Sequence, residues 1–307
     1  MNKQIKIIPS KNIDHARWDA CVRNSPHGVI YALSIYLNHM ADNWTGIVLG
    51  DYEAVLPIPW RKKMGIRYTY DVPFVQQLGW FAKNNYDSNH LQTVFLQQLF
   101  AFVRYGSYAF NFGNKLPIVG ASTQNNYILK LSNTYNSLVK NYRHDALNNL
   151  KKAGRANLRY LACPLGTAID MFVSAYSQRF ANTTKSDYNN FTALCQILQQ
   201  QQQAFARMVV DGKKGTVLSA AVFFTDNRRM YNIMNTTVEE GRQKSANHFL
   251  LDNVFKEFGG TGLVFDFEGS DIEGIKLFYE KFGAENQPYQ RLGKFNRLPF
   301  PFSLLKR

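Results

Sequence analysis

Apolar residues recur at helical spacing in some stretches of this chain and alternate or cluster in others, and this pattern outlines the elements. In the first half it predicts two short helices, over 14–22 and 32–39, followed by a hairpin in which 44–49 and 53–60 are strand-like and Gly50-Asp51 is the turn signal. Pro57 and Pro59 put the second of these strands at an edge or near its end, because proline donates no ladder hydrogen bond. A helix over 91–105 carries Leu91, Val94, Phe95, Leu99 and Phe102 on one face, and strands are expected over 108–112 and 127–131. Leu138, Tyr142, Ala146, Leu150 and Ala153 then form the apolar stripe of one long basic helix ending near Gly154.

The second half is more regular. Helices are predicted over 168–180 and 188–203, the latter closing in five glutamines, a helix-compatible exposed end. Three strands follow, over 204–211, 216–225 and 229–235, joined by Asp211-Gly212 and Asp226-Asn227 into an antiparallel meander. Ala246, Phe249, Leu250, Val254 and Phe258 support a helix over 244–258, with Gly259 just past its end. A last apolar strand, Leu263 to Phe267, runs into a helix marked by Ile272, Ile275, Phe278, Tyr279 and Phe282 and closed by Gly283. Ser270 and Glu273 have the spacing of a capping box for that helix. Asp266 and Glu268, two apart, are expected to leave the strand on one side, at its carboxyl end, where open α/β sheets hold their ligands.

At 307 residues the chain exceeds what one core usually supports, so two domains are expected, 1–136 and 137–307, the second opening with the basic helix. The first half reads as a worn version of the second, and the fold class is α/β with mixed sheets, built from two structural repeats. A hydrophobic content of 45% argues against disorder. No apolar run reaches the roughly 18–20 residues that cross a bilayer, and no secretory signal opens the chain, so a cytoplasmic protein is expected. Cys21, Cys163 and Cys195 are far apart, which points to core thiols, and the six histidines lack ligand spacing, so no structural metal is expected. The net charge of +14 favours polyanionic partners or anionic surfaces. Its basic residues concentrate at Arg61, Lys62, Lys63 and Arg67 and across 140–159.

The element order of the second half resembles the GNAT acyltransferase superfamily, and the duplicated arrangement resembles the FemABX-like proteins, which carry two such domains, here with the first degenerate. Asn148-Asn149-Leu150-Lys151-Lys152-Ala153 is similar to the basic R-N-I-R-K-A stretch ahead of that family's second domain. Gly269-Ser270, Gly274-Ile275, Phe278 and Phe282-Gly283 resemble its G-S…G-I…F-K…F-G ending. The resemblance covers about residues 137–290 and is architectural before that.

It implies transfer of an activated acyl or aminoacyl group to an amine, the acceptor being a small molecule or a cell-envelope precursor. It also implies no tightly bound cofactor, and a donor that is either aminoacyl-tRNA or acyl-CoA. The segment 241–247 keeps one glycine, a basic residue and small residues of the phosphate-binding loop but not its full pattern. Acetyl-CoA-dependent N-acetylation therefore stands beside aminoacyl transfer, and a non-catalytic descendant that binds nucleic acid or another polyanion through its basic face is a third reading. Asp266-Phe267-Glu268 is similar to the D-x-Q of leucyl/phenylalanyl-tRNA-protein transferases. Carried over, Glu268 orients or deprotonates the attacking amine and Asp266 holds it; the same acids also suit helix capping and pairing with lysines. Tyr231 and Asn235 are candidates for substrate binding, as are Lys244, Ser245 and Asn247 at the start of a helix and Arg61 and Lys62 in the first half. His248 is expected to pack or to face solvent.

Overall fold

A computed structural model describes residues 4–83, 88–116, 120–178, 183–269 and 271–298. The chain forms two units, one made of residues up to Gln124 together with the segment from Pro288, the other of Asn125–Gln287. The first contains, in order, β1 (Ile5–Pro9), α1 (His15–Asn24), α2 (Ser34–Met40), β2 (Trp44–Leu49), β3 (Ala54–Pro59), β4 (Arg61–Lys63), β5 (Ile66–Thr69), β6 (Phe81–Ala82), α3 (Ser88–Phe102), β7 (Tyr105–Ala109) and β8 (Ala121–Gln124). The second contains β9 (Tyr127–Lys130), α4 (Tyr135–Val139), α5 (His144–Arg155), β10 (Leu158–Cys163), α6 (Leu165–Tyr176), α7 (Lys185–Gln200), β11 (Ala204–Asp211), β12 (Val217–Thr225), β13 (Arg229–Thr237), α8 (Glu239–Gln243), α9 (Ala246–Phe258), β14 (Val264–Asp266), α10 (Glu273–Glu280) and β15 (Glu285–Asn286). The strand β16 (Tyr289–Asn296) completes the first unit.

The first unit has a four-stranded sheet, β1-β2-β3-β6, and a five-stranded sheet, β4-β5-β7-β16-β8. The expected hairpin is β2–β3, antiparallel with Leu49 opposite Ala54. Pro57 and Pro59 lie beyond the two rungs that β3 shares with β6, so their missing N–H groups interrupt no ladder there. In the second sheet β5 and β7 are parallel. Gly106 stands on β7 at φ +131, where an added Cβ would meet the Thr69 carbonyl oxygen at 1.8 Å.

The second unit is built on a seven-stranded sheet, β10-β11-β12-β13-β14-β9-β15. The expected meander is its centre, β11–β12–β13, with bounds within two residues of those predicted. Its helices follow from the spacing of their apolar residues. On α9, Leu250, Leu251, Val254 and Phe255 are fully buried against Phe223, Phe265, Phe267 and Phe282, and the Phe255 and Phe265 rings meet edge to face at 5.0 Å. The three cysteines are buried and unpaired. Among the described residues no helix is long and apolar enough to cross a membrane, and no group of three or more His, Cys, Asp or Glu is placed to hold a metal ion.

Several expectations change. The boundary at 136/137 moves to 124/125 because β9 pairs with β14 and β15, and the C-terminal segment returns to the first unit because β16 pairs with β7 and β8. The basic helix is two helices, α4 and α5, broken where Tyr142 turns inward to donate to Asp252 at 3.1 Å beside Tyr135. The strand expected over 108–112 begins at Tyr105, and the helix expected from Lys244 is interrupted by Ser245 in the left-handed region at φ 57. The final helix starts at Glu273 with Ile272 in the N-cap position and no side-chain cap, and Ser270 of the expected capping box lies outside the described residues.

Gly106→Ala is expected to destabilise the protein by on the order of 2–6 kcal/mol, combining left-handed strain with a backbone clash that no rotamer relieves. Urea denaturation of the two proteins checks this.

Candidate functional site

The site arises where two parallel strands part. β13 and β14 pair over three rungs, Arg229 opposite Val264, Met230 opposite Phe265 and Tyr231 opposite Asp266. There β14 ends, while β13 continues to Thr237 still bonded to β12 on its other side. The β12–β13 register shifts at the same place, with Val222 opposite Met234 and Phe223 opposite Asn232, so Ile233 is one residue in excess on β13. Such a bulge sharpens the local twist and turns a strand away from its neighbour.

A buried ion pair runs diagonally across this ladder, from Arg229 on the first rung to Asp266 on the last. Arg229 donates through Nη1 to Asp266 Oδ2 and through Nη2 to Gln287 Oε1 at 2.8 Å. The Arg229 and Asp266 side chains are 8% and 2% exposed, too enclosed for either to stand unpaired. Asp266 also accepts from Asn126 Nδ2 at 3.2 Å and from the Glu268 backbone N–H at 2.9 Å. Its carboxylate is therefore fully engaged within the sheet and its exit loop.

Glu268 follows two residues later. Its backbone is left-handed at φ 68, unusual for a residue other than glycine, so the alternation of the strand no longer determines where its side chain goes. Burial pushes its carboxyl from 4.5 up to about 8. Tyr279 on α10 feels both acids: burial first, then the charges of Glu268 and Asp266, hold its phenol above the ordinary range, so it keeps its proton.

Beyond the parting point lies a cavity of about 460 Å³, a size that suits a small organic group. β13 supplies Asn232 and Asn235 to its wall, and the start of α9 supplies Ser245, Asn247 and His248. Phe278 and Tyr279 of α10 line it as well, as does Arg242, whose guanidinium is held by Glu239. Three of these residues carry a buried side-chain atom with no hydrogen-bond partner among the described residues: Asn232 Oδ1, Asn247 Oδ1 and His248 Nε2. An unsatisfied buried polar atom costs about 1–3 kcal/mol, so the fold leaves hydrogen-bonding capacity unused at three residues of the cavity wall. The His248 ring packs edge-on against Phe278 at 4.8 Å, and burial, with the charge of Lys281, lowers its pKa to about 4. It is a neutral imidazole at physiological pH.

The sequence candidates are thus distributed unevenly. Asn235, Ser245 and Asn247 reach the cavity, with the Ser245 hydroxyl donating to Asn149 Oδ1 at 2.8 Å. Tyr231 is buried on the adjoining rung and donates to Asp226 Oδ2 at 2.7 Å. Lys244 is not in the wall; its ammonium is held by Asp211 and by Glu240 at 2.8 Å. Arg61 and Lys62 belong to the other unit, where Arg61 pairs with Asp42 and stacks on Tyr70. His248, Asn232, Arg242 and Tyr279 were not candidates in the sequence. Asn232 and Asn235 are three apart, a spacing that alternation would send to opposite faces, and the bulge at Ile233 cancels that rule.

No family model matches the chain, and no curated protein matches it in sequence. Solved structures do match in fold. A crystal structure of FemX is similar over 98% of this chain and 99% of its own, with a TM-score of 0.68 and 14% identity. The C-terminal domain of a putative lysylphosphatidylglycerol synthetase from Agrobacterium fabrum is similar over 95% and 94%, with a TM-score of 0.55 and 10% identity. A tandem GNAT protein from the clavulanic acid biosynthesis pathway is similar over 96% and 99%, with a TM-score of 0.52 and 10% identity. The fold is a mixed α/β architecture of two GNAT-like domains.

Removing one partner of the buried ion pair strands the other. Arg229→Met is expected to destabilise by about 3–5 kcal/mol, and adding Asp266→Leu to recover most of that loss, in a double-mutant cycle read by chemical denaturation. Glu268 binds its proton more tightly folded than unfolded, so wild-type stability is expected to fall as pH rises from about 4.5 to about 8. The Glu268→Gln variant lacks this contribution, and its stability relative to wild type, followed by thermal melting, should grow across that window.

Proposed function

We propose that this protein is a FemABX-like transferase that moves an activated aminoacyl or acyl group onto an amine, with the chemistry in its second unit. The observation that carries this reading is the cavity at the parted strands, lined by Asn232, Asn247, His248 and a protonated Tyr279 phenol that feels the charge of Glu268, whose own carboxyl burial shifts to about 8. The fold likeness to FemX and to a lysylphosphatidylglycerol synthetase domain, over nearly the whole chain, supports it.

In this mechanism Asn232, Asn247 and His248 hold the substrate by hydrogen bonds. Glu268 accepts the proton of the attacking ammonium, directly or through the Tyr279 hydroxyl, because a protonated amine has no lone pair. The free amine adds to the acyl carbon, the bond from that carbon to the donor oxygen or sulfur breaks, and Tyr279 gives its proton to the leaving group while taking the one that the new amide nitrogen sheds. A base whose pKa lies near 8 is well matched to an ammonium, and positioned proton transfer contributes about 10²–10⁴-fold. Asp266 takes a positioning role through Arg229.

Two features favour an aminoacyl ester over acyl-CoA as the donor. An added Cβ on Gly241 would lie 2.3 Å from the Leu218 carbonyl oxygen, so this glycine serves the close packing of α8 on β12. Lys244 is neutralised by Asp211 and Glu240. The loop's glycine and lysine are thus both committed within the protein.

Transfer from charged tRNA and from acetyl-CoA to amine acceptors, assayed in parallel, tests the reading. With the competent donor, the rate is expected to rise with pH toward about 8, and Glu268→Gln to remove that limb and slow turnover by about 10²–10⁴-fold. An unchanged rate in the variant would exclude Glu268 as the base, and no transfer from either donor would sink the proposal.

A further inference from the structure

The five-stranded sheet of the first unit ends in a row of cations. Lys62 stands opposite Arg67 across β4 and β5. The Arg104 N–H bonds the Arg67 carbonyl at 3.3 Å, and the Arg297 N–H bonds the Arg104 carbonyl at 2.7 Å. Four basic residues therefore occupy one rung across four adjacent strand ends, β4, β5, β7 and β16, all exposed. At the usual strand separation the row is on the order of 14 Å long.

Like charges directly opposite one another weaken a sheet. Among the described residues none of the four has a carboxylate within ion-pair distance, whereas Arg61 and Arg291 on the same sheet are paired with Asp42 and Asp71. Two of the guanidinium groups are propped on rings of α3, Arg67 at 4.3 Å over Phe102 and Arg297 at 4.4 Å over Phe100. Beside the row, the tip of the β4–β5 hairpin presents Met64 at 89% exposure, flanked by Lys63 and, one residue further out on each side, by Lys62 and Ile66.

We propose that this edge docks the protein on an anionic lipid surface. The row faces several lipid phosphates at once, and Met64 enters the apolar boundary beneath them. A single small anion would engage one or two of the cations and leave the rest repelling one another. A nucleic-acid strand would match the row but gives no use to an exposed apolar tip, whereas an interface with charge above and hydrocarbon below uses both. The inference is independent of the transfer chemistry, since it concerns the other unit and is read by lipid partition.

The test is co-sedimentation of the full-length protein with phosphatidylcholine vesicles, with and without phosphatidylglycerol, across a salt series. Binding is expected only with phosphatidylglycerol, falling with salt, and each of Lys62→Gln, Arg67→Gln, Arg104→Gln and Arg297→Gln should weaken it by about fivefold. Met64→Ser should weaken it at every salt concentration, while Arg67→Lys combined with Arg104→Lys and Arg297→Lys should retain it. Circular dichroism establishes that each variant is folded. Equal partition into neutral vesicles, no partition into anionic ones, or indifference to the four neutralisations would overturn the proposal. So would single-stranded RNA binding that needs the four cations while Met64→Ser leaves vesicle binding unchanged.

Discussion

The buried pairing of Arg229 with Asp266 is the constraint on which the second unit depends. Each charge would be prohibitively costly at that depth alone, so the start of β13 is tied to the end of β14 across their three shared rungs. Just past it the two strands have nothing further in common. β14 stops, a left-handed Glu268 redirects the chain, and a one-residue bulge turns β13 aside. The gap is therefore a product of strong local pairing followed at once by its loss. α9 and α10 line it with side chains from their first turns and apolar faces, converting a defect in the sheet into an open cleft.

Two carboxylates separated by one residue consequently have different chemistry. Asp266 is surrounded by donors, whereas burial raises the carboxyl of Glu268 and favours its proton. Different environments for neighbouring acids are a common way to divide roles within one site. The neutral His248 and the protonated Tyr279 extend the same principle, because desolvation leaves each as an uncharged hydrogen-bonding group near neutral pH. The cavity thus sets uncharged hydrogen-bonding groups among largely apolar walls, unlike the basic edge of the first unit.

Much of the second unit was legible in the chain because its elements are locally specified. The meander from Ala204 to Thr237 is marked by turn residues and strand propensity, and α9 by a continuous apolar face. The edge strand Leu158–Cys163 was not legible: its residues are mostly half-buried or exposed, so it lacks the alternation that signals a strand. The same limit hid β16, whose place between β7 and β8 depends on partners more than 160 residues earlier in sequence.

By itself the sequence determined the order and type of most central elements and the duplicated α/β plan, and it singled out the strand end carrying Asp266 and Glu268, because periodicity and turn chemistry are properties of neighbouring residues. Tertiary structure alone decided which acid is neutralised and which is desolvated, that Asn232, Asn247 and His248 share one cavity, and that Lys62, Arg67, Arg104 and Arg297 stand side by side. Burial and juxtaposition arise from contacts between segments far apart in the chain, and no local pattern encodes them.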